Sequence, residues 1–365
     1  MSRTVFVLGA GASAHCGTPL MGNFLEVAQD LLRLGEVEEV KEDFENVFNA
    51  VGSLHAIQSK ARINTYNIED VYAAFEMGKL LGSLPGVESD NIEALTGSIK
   101  KVIAYTLERT TELKEHTRDT LIGPESYSKF ADIIKSMIES DRDCTIMTFN
   151  YDLGLDYSLR ERGISPDYSF GDIDLADKKF VITYLKLHGS LNFGKCTKCG
   201  KITPYSDFSN LITKRGADYS TMQFISRLKK QKCKYCGEPL EEDPFIVPPT
   251  WNKTAYHTEI DQVWKRAARE LRDAENIFVL GYSLPSSDLF FHYLFALGVD
   301  MRTILKGFYV YNTDDTAEER FRDLLGSGIM QRFHFYESSF EEAFAGYTRI
   351  SGPDYKKITQ ILDIQ

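Results

Sequence analysis

Four of the six cysteines stand in two Cys-x-x-Cys pairs, Cys196/Cys199 and Cys233/Cys236, each followed by a glycine, with 33 residues between the pairs. Each pair offers two thiolates from a tight turn. Two such pairs make a tetrahedral zinc site with no open coordination position, so the metal would be structural and not catalytic. Two disulfides, or a redox pair, are the alternatives. A reducing compartment disfavours the first, and a redox motif would not normally come twice. Lys195, Lys198, Lys201, Lys232 and Lys234 surround the ligands and are expected to offset the charge of four thiolates. Cys16 and Cys144 lie in apolar sequence and read as small buried hydrophobes.

A second signal is Gly9-Ala10-Gly11-Ala12-Ser13-Ala14, which fits G-x-G-x-x-A. In a dinucleotide site the first glycine permits the tight turn, and the second removes a side chain where a pyrophosphate meets the backbone. The helix that follows would aim unpaired N–H groups at the phosphates. The motif comes directly after the first strand signal, Val5 to Leu8, and ahead of a helix carrying Phe24, Leu25, Ala28, Leu31 and Leu32. A bare strand–helix turn is the alternative. The acid that normally holds a ribose hydroxyl, about 20 residues on, has only Asp30 as a counterpart, and Asp30 sits in a helical pattern. A plain hydride-transfer domain is therefore disfavoured.

The third signal is polar residues at strand ends. In an open α/β sheet, ligands bind beyond the carboxyl ends of the strands. Asn150 and Asp152 follow the strand Cys144 to Thr148. His188, with Gly189 and Ser190, follows Val181 to Leu187. Gly281, Ser283 and Asp288 follow Asn276 to Leu280, and Asn312 follows Phe308 to Tyr311. Any one of these could be a turn former or a cap. Together with the glycine turn they converge on one crevice. His188 is the best acid–base candidate, with His15 second. The other five histidines read as surface or packing residues.

The elements that must position these residues follow from periodicity. Strands alternating with helices imply α/β architecture: a Rossmann-like, doubly wound, mostly parallel sheet. Residues 1–35, 141–192 and 245–346 form that domain, 36–140 a helical insertion, 193–244 a zinc-ribbon subdomain and 347–365 a C-terminal tail. Within the insertion, Asn67 should cap a helix with Ile68, Val71, Tyr72, Phe75 and Leu80 on its apolar side. Further helices are expected over about Asp90 to His116 and Glu125 to Glu139. The chain of 365 residues has a formal net charge of −11, which argues against non-specific nucleic-acid binding. No apolar run approaches the roughly 20 residues of a membrane span. The first residues do not read as a signal peptide, so a cytoplasmic protein is expected.

Taken in order, Gly9-Ala10-Gly11-Ala12-Ser13, Thr148-Phe149-Asn150-Tyr151-Asp152, Leu187-His188-Gly189, the four cysteines and Gly281-Tyr282-Ser283 follow the sequence of motifs seen in sirtuins. Over about 1–35 and 141–345 the chain resembles the sirtuin-like family, and particularly its divergent bacterial branch of antiphage-defence NAD⁺ hydrolases. The resemblance implies NAD⁺ as substrate. The Gly9, Ala10, Gly11, Ala12 and Ser13 turn would cradle the pyrophosphate. Asn150 and Asp152 would face the nicotinamide ribose, and His188 its hydroxyls. Gly281 and Ser283 would lie at phosphate or ribose, and Asn312 at the adenosine ribose. It also implies a HerA-type ATPase as a candidate partner. Because such an activity is toxic to its host, a switch such as assembly into a homo-oligomer is expected.

Two departures separate the chain from sirtuin deacylases. Their G-I-P-D-F-R is here Gly17-Thr18-Pro19-Leu20-Met21-Gly22, without the aspartate and arginine. Their F-G-E strand is replaced by Phe245-Ile246-Val247-Pro248-Pro249-Thr250-Trp251, whose two prolines remove two backbone donors from any peptide ladder. The expected activity is therefore NAD⁺ glycohydrolysis to nicotinamide and ADP-ribose, in an abortive-infection effector. His188 would be the general base, and Asn150 would orient the ribose or the water. Asp152 would orient a neighbour or stabilise the cation. An NAD-dependent protein-lysine deacylase and a non-catalytic NAD or ADP-ribose module are the alternatives. The insertion is the expected place for oligomer or partner contacts. Its Glu69 and Asp70 could come near the crevice, though nothing in the sequence fixes this.

Overall fold

The computed structural model describes residues 3–55, 62–117, 120–171, 175, 177–205, 212–215, 219–222, 224–248, 260–285, 288–298, 304–344 and 356–364. Seven strands form one sheet: β1 (Thr4–Leu8), β2 (Cys144–Thr148), β3 (Ile164–Asp167), β4 (Phe180–Lys186), β5 (Asn276–Leu280), β6 (Gly307–Asn312) and β7 (Phe333–Glu337). Their order is β7-β6-β5-β1-β2-β4-β3, and every pairing is parallel. The central strands are apolar on both faces, as helix-covered parallel strands must be. All five residues of β1 and of β2 are buried. From β1 the chain first builds one side of the sheet and then crosses to the other. The strand order therefore reverses beside β1, which opens a crevice at the carboxyl ends there.

Two strand-level differences have clear causes. The strand β3, Ile-Ser-Pro-Asp, carries Pro166, which hides it from pattern reading. It lies at the sheet edge, where a missing donor is tolerated. The helix expected to reach His116 is Ser89–Thr110 instead. There Thr110 and Thr111 turn their hydroxyls back onto the carbonyls of Thr106 and Leu107. Such β-branched back-bonding competes with helix continuation. The chain then forms a hairpin, Glu112–Thr117 with Thr120–Ile122, and its first strand pairs with Tyr219–Met222, which in turn pairs with Ile212–Arg215. The insertion is thus not wholly helical, and it is stitched by an antiparallel sheet to the segment that carries the cysteines.

The helix α1 (Phe24–Arg33) precedes the insertion, whose helices are α2 (Lys41–His55), α3 (Ile68–Leu81) and α4 (Ser89–Thr110), followed by α5 (Glu125–Glu139). Asn67 caps α3, its side-chain oxygen accepting from the Glu69 amide at 2.8 Å. Ile68, Val71, Tyr72 and Phe75 are buried, whereas Leu80, expected on the apolar side, is 72% exposed. One core fills the space around the sheet. A second core joins α1 to α4 with Tyr151, Leu153, Leu191 and Ile246 from the loops beyond β2 and β4, and with Cys196 and Cys233. This second core makes the insertion and the ribbon a roof over the carboxyl ends of the strands. The segment set apart as a tail also packs in: Ile358 and Leu362 join the core around the sheet, and the Lys356 carbonyl accepts from the Tyr311 hydroxyl at 2.6 Å. None of the described helices is long and apolar enough to cross a membrane.

Candidate functional site

The turn after β1 differs in detail from a dinucleotide turn. Two short 3-10 turns, Ala10–Ala12 and Ala14–Cys16, follow the strand, and the α-helix begins only at Phe24. The amides of Gly9, Gly11, Ala12 and Ser13 donate to Leu280, Gly281, Gly9 and Ala10 respectively. Those four amides are therefore engaged within the protein and not free for a phosphate. The Ala10 and Ala14 amides make no such bond among the described residues. The second glycine also has another reason to be small. A Cβ on Gly11 would lie 2.9 Å from the Gly281 Cα, and one on Gly281 would lie 2.3 Å from the Ala12 nitrogen. The turns after β1 and β5 touch backbone to backbone, and Gly281 adopts φ +60°, which suits glycine.

Above these turns lies a cleft of about 380 Å³, open to solvent and within the size range of ligand sites. Of the residues singled out from sequence, Ala10, Gly11, Asn150, His188, Gly281, Ser283 and Asn312 line it. Gly9 and Ala12 lie behind it. Ser13 and Asp152 line a small adjoining apolar pocket of about 40 Å³, which also includes Asn150. His15 lines neither. It stacks on Phe340 at 5.4 Å and meets Tyr127 edge-on at 4.9 Å, with both ring nitrogens buried and without a partner.

Asn150 is held by its nitrogen, which donates to the Gly9 carbonyl and to the Ser13 hydroxyl, both at 2.8 Å. A carbonyl can only accept, so the side-chain orientation is set, and the Asn150 oxygen is the atom left for the cleft. The Ser13 hydroxyl is buried and fully used: it donates to Asp152 at 2.6 Å and lies 2.6 Å from the Tyr127 hydroxyl. The other Asp152 oxygen accepts from the Gly154 amide at 2.9 Å. Asp152 thus orients the turn, and both its oxygens are engaged.

His188 is buried, with its Nε2 3.5 Å from Asp288 Oδ1. The second Asp288 oxygen accepts from Tyr282 at 2.9 Å. This gives the imidazole a carboxylate neighbour that can orient it and stabilise its protonated form. Sequence grouping placed Asp288 at a strand end but could not pair it with His188. Phe149 meets His188 edge-on at 5.0 Å and stacks on Tyr282 at 4.3 Å, making an apolar wall. At the far end, the Asn312 side-chain oxygen accepts from the Asp314 amide at 3.0 Å, while its nitrogen is buried with no partner. A buried orphan donor is costly, and a ligand acceptor would satisfy it. Ser283 is fixed through its carbonyl, which accepts from Arg320 at 2.7 Å. Glu69 also lines the cleft, delivered from α3, whereas Asp70 does not.

A buried ion pair underlies the site. Lys186 and Asp156, both fully buried, are 2.9 Å apart. The Lys186 ammonium also donates to the Asp152 carbonyl at 2.8 Å and to the Ser190 hydroxyl at 2.7 Å. The loops bearing Asn150 and His188 are therefore tied together from below.

The four cysteines of the ribbon form a cluster whose sulfurs all lie within 4.8 Å of one another. Cys196 and Cys236 are 3.4 Å apart, and Cys199 and Cys233 3.7 Å. Tetrahedral Zn–S bonds of about 2.3 Å would put the sulfurs about 3.8 Å apart, so the donor set fits zinc. The amides of Lys198 and Cys199 point at the Cys196 sulfur, and that of Tyr235 at the Cys233 sulfur, all at 3.4 Å. The bonds from the Cys199 and Lys198 amides pull the Cys196 thiol down to about 6, favouring the thiolate a metal needs. The surrounding lysines are partly spoken for: Lys198 pairs with Glu238 and Lys195 with Glu241. Cys16 and Cys144 are buried as expected, and burial pushes the Cys144 thiol up to about 12.

No family model matches the chain, and none of the curated proteins does. Among solved structures it is similar to a Sir2 homolog–NAD complex, at 15% identity over 94% of this chain and 86% of that one, with a TM-score of 0.40. It is also similar to Sir2 bound to acetylated peptide, at 13% identity over 93% and 90%, TM-score 0.41. A Sir2–p53 peptide–NAD⁺ structure matches at 14% identity over 94% and 90%, TM-score 0.40.

Proposed function

We propose that the chain is an NAD⁺ glycohydrolase that releases nicotinamide and ADP-ribose. The observation that carries this reading is the single cleft on which Asn150 and His188 meet, with the Asn312 donor at its other end. The order of the sequence motifs supports NAD⁺ as the occupant. An effector role in antiphage defence and a HerA-type ATPase partner come with that resemblance, and a homo-oligomer and a cytoplasmic setting belong to the proposal as well.

In this reading the dinucleotide lies along the cleft, its phosphates over the turns at Ala10 and Gly281 and its adenosine end at Asn312 and Ser283. The bond between C1′ of the ribose and the nicotinamide nitrogen breaks. Its electron pair neutralises the pyridinium, and positive charge develops on the sugar. The Asn150 oxygen accepts from a ribose hydroxyl or from the attacking water. His188, oriented by Asp288, takes the proton as water oxygen bonds to C1′; general-base help of this kind contributes typically about 10²–10⁴-fold. Asp152 holds the turn and Asn150 through Ser13. Zinc, when bound by Cys196, Cys199, Cys233 and Cys236, would hold the ribbon without touching substrate.

The described part of the Phe245–Trp251 segment speaks against an acyl-lysine peptide. The Phe245 and Val247 amides donate to Phe193 and His188 at 2.8 and 2.7 Å, and Pro248 has none to offer. Residues 249–251 lie outside the described residues. Incubation with NAD⁺ alone, followed by chromatography, tests the proposal. The protein should release nicotinamide without any peptide, and His188→Ala and Asn150→Ala should lose that release while still folding. A requirement for acyl-lysine, or full activity in both variants, would overturn it.

A further inference from the structure

The cleft is unusual in its charge. Among its described lining residues there is no lysine or arginine, and there are three carboxylates: Glu69, Asp288 and Asp314. Asp314 is neutralised by Arg320, 2.6 Å away. Asp288 is committed to His188 and Tyr282. Glu69 stands apart because it comes from the insertion, on the first turn of α3. Its position there is fixed. The Asn67 side chain caps that turn, Ile68 is buried, and the Ile68 amide bonds the Met21 carbonyl at 3.5 Å. The end of α3 is thereby pinned to the loop that follows the glycine turn. A helix N-terminus is also a favourable place for a carboxylate.

Glu69 shares its cleft with two buried tyrosines. Tyr151 and Tyr282 are both buried. Their hydroxyls are pushed well above the usual range by burial first, then by Asp288, with Glu69 adding to both. These two tyrosines line the cleft with His188. Glu69 therefore lines the same cleft as the histidine and the two tyrosines.

We propose that Glu69 is a further catalytic residue, contributed by the helical insertion, whose carboxylate stabilises the positive charge that develops on the sugar as nicotinamide leaves. This rests on the NAD⁺ glycohydrolase reading. Glu69 forms and breaks no bond in this role. The electron pair of the C1′–N bond goes to nicotinamide, the water oxygen bonds C1′, and the water proton goes to His188. A carboxylate held beside a developing cationic centre lowers the barrier in the way preorganised charges do elsewhere. The same carboxylate favours the pyridinium ring of NAD⁺ in the ground state over a neutral ring. The insertion then completes the site and does more than offer an outer surface for partners.

Glu69→Gln keeps the size and the helix and removes the charge. Calorimetry with NAD⁺, NADH and ADP-ribose, alongside nicotinamide release, tests the role. Wild type should prefer NAD⁺ over NADH. In Glu69→Gln that preference should fall about fivefold, ADP-ribose affinity should stay within about twofold, and kcat should drop about 10²-fold, the loss seen when one preorganised charge-stabilising group is removed. An unchanged preference with a wild-type kcat would overturn the proposal. If wild type binds NAD⁺ without cleaving it, the NAD⁺-over-NADH preference alone decides for or against Glu69. If wild type binds none of the three, the glycohydrolase reading fails and the role of Glu69 falls with it.

Discussion

The side-chain nitrogen of Asn150 sits 2.8 Å from the Ser13 hydroxyl, which in turn sits 2.6 Å from the Asp152 carboxylate. One hydroxyl thus joins the turn after β1 to both polar residues at the end of β2. Ser13→Ala would leave the Asp152 oxygen and the Asn150 nitrogen each short of a partner in a buried setting. Leaving such groups unsatisfied costs about 1–3 kcal/mol. Urea denaturation should show that loss, and nicotinamide release should fall because Asn150 is no longer held. A variant as stable and as active as wild type would mean that the Gly9 carbonyl alone positions Asn150.

The four-thiolate ribbon makes a prediction about metal. Each chain should carry one zinc by elemental analysis. Chelation or Cys199→Ser should lower the melting temperature, since structural zinc binding is linked to folding. A closed four-sulfur site offers no coordination position to substrate, so replacing zinc by cadmium should leave the rate of nicotinamide release unchanged. A rate that follows the identity of the metal would count against a purely structural role.

Much of this arrangement was legible in the sequence, and the gaps have physical causes. The central strands could be found because they are apolar on both faces, and the Asn67 cap because side-chain capping is local. The strand at Ile164–Asp167 was hidden by Pro166, which only an edge tolerates. The hairpin after Thr110 was hidden because its partners lie about 100 residues away in the cysteine-bearing segment, at Tyr219–Met222. At the site, strand-end logic was enough to name Asn150, His188 and Asn312, since chain topology alone brings those ends together. It could not show that Asp288 faces His188 or that Glu69 reaches the cleft. Both depend on how the roof packs over the sheet. Nor could it show that the Gly11 contact is with Gly281, a constraint between two backbones far apart in sequence.

The Lys186–Asp156 pair should behave as buried ion pairs do. Removing one partner strands a charge with no water, at a cost of about 3–5 kcal/mol. Lys186→Met alone should therefore unfold at much lower denaturant than wild type. The double variant Lys186→Met with Asp156→Leu should recover most of the loss, because neither charge remains. Since the Lys186 ammonium also grips the Asp152 carbonyl and the Ser190 hydroxyl, the double variant should regain stability without regaining full activity. Recovery of both would show that the pair contributes to folding and not to the alignment of the two loops.

His15 offers a pH prediction that also separates it from His188. Burial lowers its pKa from the ordinary histidine value of 6.5, with Glu341 and Asp152 countering in part. A histidine lowered in the folded state binds its proton more readily when unfolded. Stability is therefore full above about 6.5 and is lost as pH falls from there toward the folded pKa. Comparing urea midpoints at pH 7.5 and 5.5 should show a drop in wild type that shrinks in His15→Leu, which suits the ring-lined site beside Tyr127 and Phe340. Because His15 lines neither the cleft nor the adjoining pocket, His15→Leu should keep releasing nicotinamide where His188→Ala does not. If His15→Leu were as inactive as His188→Ala, the assignment of His188 as the base would have to yield to a relay that includes both rings.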